Sequence, residues 1–204
     1  MTIEKKLPVQ IFSMHYNKPT VDFYYPKVYG LSDVYVQQRI NSELYNLMIK
    51  VTKAVIQPEL VTYVTGFYEI KNNQRQVLSI TGNAMGDFHG AHPVTVVKSA
   101  NIDVKTGKNY ELHQLFKPDS GYIKKLSDMI YAQIKERDIP LLDGFKGIRP
   151  DQDYYIADKS LVIYFQQYEI SPYVAGLPYF VIPIYDISDM IVPNSILDRM
   201  LMWL

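Results

Sequence analysis

The chain has 204 residues, enough for one ordinary domain or two small ones sharing a core, and 48% hydrophobic against 21% charged residues supplies an interior and excludes extended disorder. Lysine plus arginine equals aspartate plus glutamate at 21 each, and the longest basic clusters are Lys5-Lys6 and Lys124-Lys125, so no clustered basic face exists for nucleic acid. Cysteine is absent, which excludes disulfides, thiolate metal sites and a cysteine nucleophile.

In chain order, Val9 to Ser13 and Val21 to Tyr25 read as strands around an Asn17-Lys18-Pro19 turn. Tyr25 to Gly30 then leads to a long amphipathic helix. Its apolar face is Val36, Ile40, Leu44, Leu47, Met48, Val51 and Val55; Ser32 is the expected N-cap, and the helix ends before Pro58. Leu60 to Ile70 and Val77 to Met85 read as a hairpin around the polar turn Lys71 to Arg75. After Gly86 to Pro93 the pattern resets. A strand from Val94 to Val104 has apolar even positions except Lys98, which predicts one buried and one wet face.

Thr106-Gly107-Lys108 is a hairpin turn; it lacks the glycine spacing of a phosphate loop. Asn109 to Leu112 is a candidate short strand. A second helix is expected after Asp119 or Ser120, with Tyr122, Ile123, Leu126, Met129, Ile130 and Ile134 on one face. Leu141 to Gln152 reads as loop, and Asp153 to Ile156, Ser160 to Gln167 and Tyr179 to Tyr185 as strands, with Pro183 marking an edge or bulge. A short helix from Asn194 to Leu204 closes the chain. Its Asp198 and Arg199 deny it a basic face, so packing on the chain's own sheet is expected, Trp203 included. The fold class expected is α+β: mainly antiparallel twisted sheets, a long amphipathic helix in each half and a short C-terminal helix. A soft boundary falls between residues 88 and 89, with one continuous unit as the alternative.

Several segments resemble a known family. Tyr25-Pro26-Lys27-Val28-Tyr29-Gly30-Leu31 with Ile40-Asn41 is similar to the start of the PdaC/RsiV-like domain. His89-Gly90-Ala91-His92, Asn101-Ile102-Asp103, Thr106-Gly107-Lys108 and Leu112 to Phe116 follow the order of the domain of unknown function that accompanies it. So does Tyr164-Phe165-Gln166-Gln167-Tyr168-Glu169-Ile170-Ser171-Pro172-Tyr173-Val174-Ala175-Gly176, the most specific match. In RsiV-like proteins this pair forms the extracellular part of a membrane-anchored anti-sigma factor that senses lysozyme. In PdaC-like proteins the first domain precedes a separate deacetylase domain. Both the sigma-binding segment and the deacetylase domain are missing from these residues, so the resemblance implies a fold and a binding role without an activity.

The expected ligand or partner surface is Tyr168, Glu169, Pro172, Tyr173 and Gly176 with His89 and His92. Rigid tyrosines on a Pro/Gly-shaped loop suit recognition, and 18 tyrosines against 8 phenylalanines give the chain a stock of them. Glu169 among aromatic rings is either a structural acceptor or an acid–base group of a cell-wall hydrolase or deacetylase working with His89 or His92. The H-x-x-H spacing beside Asp87 is a weak zinc signal, since Gly90 and Pro93 argue for a loop, and neither metal nor cofactor is expected. A non-enzymatic binding or sensor module is the primary reading; the alternatives are the Glu169 hydrolase or deacetylase and a cytosolic protein that retains the fold for an unrelated partner. The module's ligand is a protein such as lysozyme or a cell-wall glycan, and no nucleic-acid partner is expected. No apolar stretch reaches transmembrane length and the amino terminus lacks a signal core, which predicts a cytoplasmic chain if complete and an extracellular one if it is an excised ectodomain.

Overall fold

The computed structural model describes residues 7–57 and 59–201. Five strands lie side by side in chain order: β1 (Gln10–Lys18), β2 (Val21–Tyr29), β3 (Tyr63–Gln74), β4 (Val77–Asp87) and β5 (Val94–Asp103). Neighbours are antiparallel except β2 and β3, which run parallel from Val21–Phe23 against Val64–Gly66. That parallel step needs a crossover, supplied by helix α1 (Val34–Val55). Ile40, Leu44, Leu47, Met48, Val51 and Val55 are buried in the core that α1 shares with the sheet.

Asp33 rather than Ser32 caps α1, accepting from the Tyr35 and Val36 amides at 2.9 and 3.0 Å. An ionised carboxylate there also meets the positive end of the helix dipole. Strand β2 runs past Pro26, beyond its expected end. Its far side has left β3 by then, and the Asn41 side chain of α1 takes the place of a strand: Val28 N–H donates to Asn41 Oδ1 at 2.8 Å, and Asn41 Nδ2 donates to Val28 O at 3.0 Å.

The polar run Lys71 to Arg75 is not the hairpin turn. A register shift between Ile70 and Asn72 turns Asn72 and Asn73 inward, and the loop is Arg75-Gln76, both with positive φ (53° and 59°). Asn72 Nδ2 donates to Val77 O at 2.8 Å, and Asn73 brackets Val9, donating to its carbonyl at 2.9 Å and accepting from its amide at 3.3 Å.

Helix α2 (Tyr122–Glu136) and the antiparallel strands β6 (Tyr154–Ala157), β7 (Ser160–Tyr164) and β8 (Tyr179–Pro183) enclose a second core containing Leu126, Ile130, Ile134, Ile163 and Phe180. Neither Asp119 nor Ser120 caps α2; its N-cap is Gly121 in the left-handed region (φ 72°), and no side chain bonds there. Pro183 ends the edge strand β8, where a missing N–H costs no ladder bond. Asn109 makes a single bridge to Ile102, followed by a 3-10 helix over Leu112–Leu115.

The second sheet closes over the face of the first that the alternation marked as wet. Ser79 Oγ donates to Asn101 Oδ1 at 2.6 Å and accepts from Ile156 N at 3.0 Å. Asn101 Nδ2 and Ser99 Oγ both donate to Tyr154 O. The row is polar because β6 covers it with backbone groups that need partners. Residues 88–93, where the sequence pattern resets, join β4 to β5 within one sheet. The chain's last described turn is a 3-10 helix, Asp198–Leu201, whose Arg199 pairs with Asp103 at 2.9 Å while Arg75 donates to Met200 O at 2.8 Å. It thus lies on the chain's own sheet; Trp203 and the rest of 202–204 lie outside the described residues. Among the described residues no helix is long and apolar enough to cross a membrane.

Gly66 carries the close approach of β2 to β3: a Cβ there would stand 2.0 Å from the Phe23 ring, which is itself buried. Gly66→Ala is expected to cost about 2 kcal/mol or more, read as a lower urea midpoint, because the ring has no space to yield. Burial also pushes the Tyr154 and Tyr164 phenols well above their usual range. Tyr179 is pushed up to about 12, mainly by burial and secondarily by Tyr155 and Glu69. The unfolded chain releases these protons near 10 and the folded chain retains them, so stability is full below about pH 10 and falls as pH rises toward 12. A pH titration of tyrosinate absorbance should show a class of tyrosines that ionises only as near-UV circular dichroism is lost.

Candidate functional site

Strand β7 delivers the chain to Phe165, whose N–H donates to Pro178 O at 3.1 Å, and then into the Gln166 to Gly176 loop. The first two loop residues fasten it to the open edge of β5. Gln166 Nε2 donates to Val97 O at 2.6 Å and Gln166 Oε1 accepts from Val97 N at 3.1 Å; Gln167 Oε1 accepts from Thr95 N at 2.9 Å. A carboxamide carries one acceptor and two donors, so it can stand in for a neighbouring strand. Gln166 also donates to Asp153 Oδ2 at 2.8 Å, and Asp153 pairs with Lys98 at 2.6 Å.

Glu169 sits inside this arrangement. One carboxylate oxygen accepts from Gln166 N at 2.8 Å; the other accepts from Gln152 Nε2 at 3.1 Å and from Arg149 Nη1. Its side chain is only 17% exposed. The guanidinium is raised above its ordinary range by the hydrogen bond to Glu169, opposed by partial burial. Neither His89 nor His92 bonds to this carboxylate. The Glu169 side chain therefore fixes the loop's start, and the residues it uses, Arg149 and Gln152, were not singled out in the sequence. No motif marks them, because a loop 17 to 20 residues upstream meets Glu169 only after folding.

On either side of the buried Ile170 and Ser171 the loop turns outward. Tyr168 has a left-handed φ of 64° and is 57% exposed. Pro172 opens a single 3-10 turn, Tyr173–Ala175, which presents Val174 at 88% exposure. Gly176 closes it at φ 66°, ψ −131°, a conformation that only glycine adopts readily, although a Cβ would meet nothing within 4 Å. The Tyr173 ring lies 5.9 Å from that of Tyr168, stacks on His92 at 4.6 Å, and its hydroxyl donates to Pro93 O at 3.4 Å.

The two segments singled out in the sequence are thus one surface, joined by Tyr173 and His92. His89 looks elsewhere: its amide donates to Asp87 Oδ1 at 2.8 Å and its ring meets Tyr63 edge-on at 5.6 Å. The H-x-x-H rings therefore face different aromatic partners. Among the described residues, no three His, Asp or Glu side chains gather in a metal-holding group.

Two packed sheets, a crossover helix and a clamped loop with an exposed aromatic tip define an α+β protein. The model of the family described as "Protein of unknown function (DUF3298)" matches residues 113–185. Over 195 residues the chain is 32% identical to the anti-sigma-V factor RsiV of Bacillus subtilis, covering 86% of this chain and 67% of that protein. It is 28% identical over 111 residues to the peptidoglycan-N-acetylmuramic acid deacetylase PdaC of the same organism, covering 51% of this chain and 24% of that protein, so it spans about a quarter of that relative's length. A crystal structure of a DUF3298 family member from Bacteroides fragilis superposes with a TM-score of 0.72 at 14% identity, covering 97% of this chain and 99% of that one. One from Pseudomonas aeruginosa gives 0.67 at 12%, covering 93% and 96%. The chain belongs to the RsiV/PdaC-like DUF3298 family.

Removing the clamp should be felt in stability. Gln166→Ala strands the Val97 amide and carbonyl at a half-closed edge and is expected to cost about 2 kcal/mol in urea unfolding. Gln167→Ala, which frees one amide only, is expected to cost less than half as much.

Proposed function

We propose that this chain is a non-enzymatic binding module and that its ligand is a protein, met by the tip of the Tyr168–Val174 loop and the adjoining His92. The observation that carries this reading is the exposure of Tyr168 and Val174 on a loop whose base is held by Gln166, Gln167 and Glu169. Large apolar side chains presented in one fixed geometry lose little entropy on binding. Tyr63, which the His89 ring meets, exposes further apolar surface with Phe67 and Met85 on one face of β3 and β4. A projecting tip with a broad flank suits a partner with a cleft better than it suits a small ligand seeking a pocket.

Kinship with an anti-sigma factor supports a sensor or binding role at family level. The family resemblance points further, to lysozyme as the ligand and to the outside of the cell as the place of encounter. The internal commitments of Glu169 support a structural rather than a catalytic role for it.

Calorimetric titration with lysozyme tests the reading, with soluble muropeptides as the comparison. Saturable binding to lysozyme is expected, and Tyr173→Ala and Val174→Asp should each abolish it while leaving the thermal midpoint close to that of the parent. Heat only with muropeptides would redirect the site to glycan; silence with both, on folded protein, refutes the proposal. Turnover of muropeptides that disappears in Glu169→Gln would instead make it a cell-wall hydrolase. Protease accessibility of the native protein on intact cells checks the location.

A further inference from the structure

The two edges of the five-stranded sheet are treated in opposite ways. Along β5 four outward-facing residues are engaged: Thr95 by Gln167, Val97 by Gln166, Asn101 by Asn109 and Tyr110, Asp103 by Lys108. Along β1, nine residues pair with β2 alone.

Which β1 groups point outward follows from the partners. Pro26, opposite Ser13, has no N–H to give, and both backbone groups of Val28, opposite Ile11, are bound by Asn41. Those two pairs are therefore the wide, non-hydrogen-bonded kind, and alternation extends the pattern to His15 and Asn17. Ile11, Ser13, His15 and Asn17 turn N–H and C=O away from β2, and among the described residues nothing bonds to them. The devices that usually blunt such an edge are missing from all but the strand's last position, Lys18: from Gln10 to Asn17 there is no proline, lysine or bulge, and Phe12 and Met14 are 55% and 37% exposed.

We infer that this edge pairs with the β1 edge of a second copy of the chain, antiparallel about Met14, joining two five-stranded sheets into one. The strand is complementary to itself in that register. Ile11 faces Asn17 of the other copy and Ser13 faces His15, so all four outward residues exchange backbone hydrogen bonds. Phe12 falls opposite Tyr16 on each side of the two-fold axis, an aromatic pair at closely spaced positions, with Met14 against Met14 between them. Lys18 meets Gln10, so no like charges oppose. An unrelated extended peptide gains the backbone bonds but not these side-chain matches.

Charge exchange at the axis tests this independently of ligand binding. Wild-type protein is expected to sediment as a dimer whose fraction rises with concentration. Met14→Lys and Met14→Glu, each placing like charges face to face, should sediment at half that mass with unchanged circular dichroism and the thermal midpoint of dilute, monomeric wild type. An equimolar mixture of the two should recover the dimer. Ser13→Pro, which removes an outward N–H and no β1–β2 bond, should also give monomer. Wild type at monomer mass throughout overturns the inference, as does a dimer indifferent to both Met14 substitutions or a mixture that stays monomeric.

Discussion

A backbone that leaves a β-ladder must find other hydrogen-bond partners, and in this molecule side-chain carboxamides meet that demand. Asn41 binds both the N–H and the C=O of Val28; Asn73 does the same for Val9, and Gln166 for Val97. Each amide reproduces, at one point, the donor–acceptor pair of an absent strand. The first lets β2 part from β3 and still pass its proline. The second anchors the approach to β1. The third ties the Gln166 to Gly176 loop to the sheet. Where polar rows meet across layers the same rule holds, with Ser79, Ser99 and Asn101 receiving β6.

That constraint explains which features were legible in the sequence. The faces of α1 and α2 are set by apolar spacing, which is a local property, and both helices lie where the periodicity puts them. Asn72 and Asn73 show the opposite case. Their composition speaks for a turn, and only a bulge and a long-range partner make them interior. Likewise the alternation along β5 is real, but it cannot distinguish a row facing water from one facing another sheet's backbone.

The site divides along the same line. That Tyr168, Pro172, Tyr173 and Gly176 share one shaped loop was readable because loop chemistry is written in consecutive residues, and the structure places Tyr173 against His92. Glu169 was readable as important but not as to role, since Arg149 and Gln152 reach it from a separate loop. Gln166 and Gln167 stand in the most specific motif of the chain. Their function is invisible without β5, because an exposed glutamine and a strand-capping glutamine look the same in sequence.

The clamp also orders events as the chain is made. Gln166 lies 69 residues after the valine it seals. When β5 first forms its hairpin with β4, both its outer edge and the polar row beside it await a partner still to be synthesised. The amino-terminal half alone is therefore a sheet with two open borders, the kind of intermediate that recruits strands indiscriminately. Completion of the second half covers the β5 border, and among the described residues the β1 border of that sheet stays available for pairing.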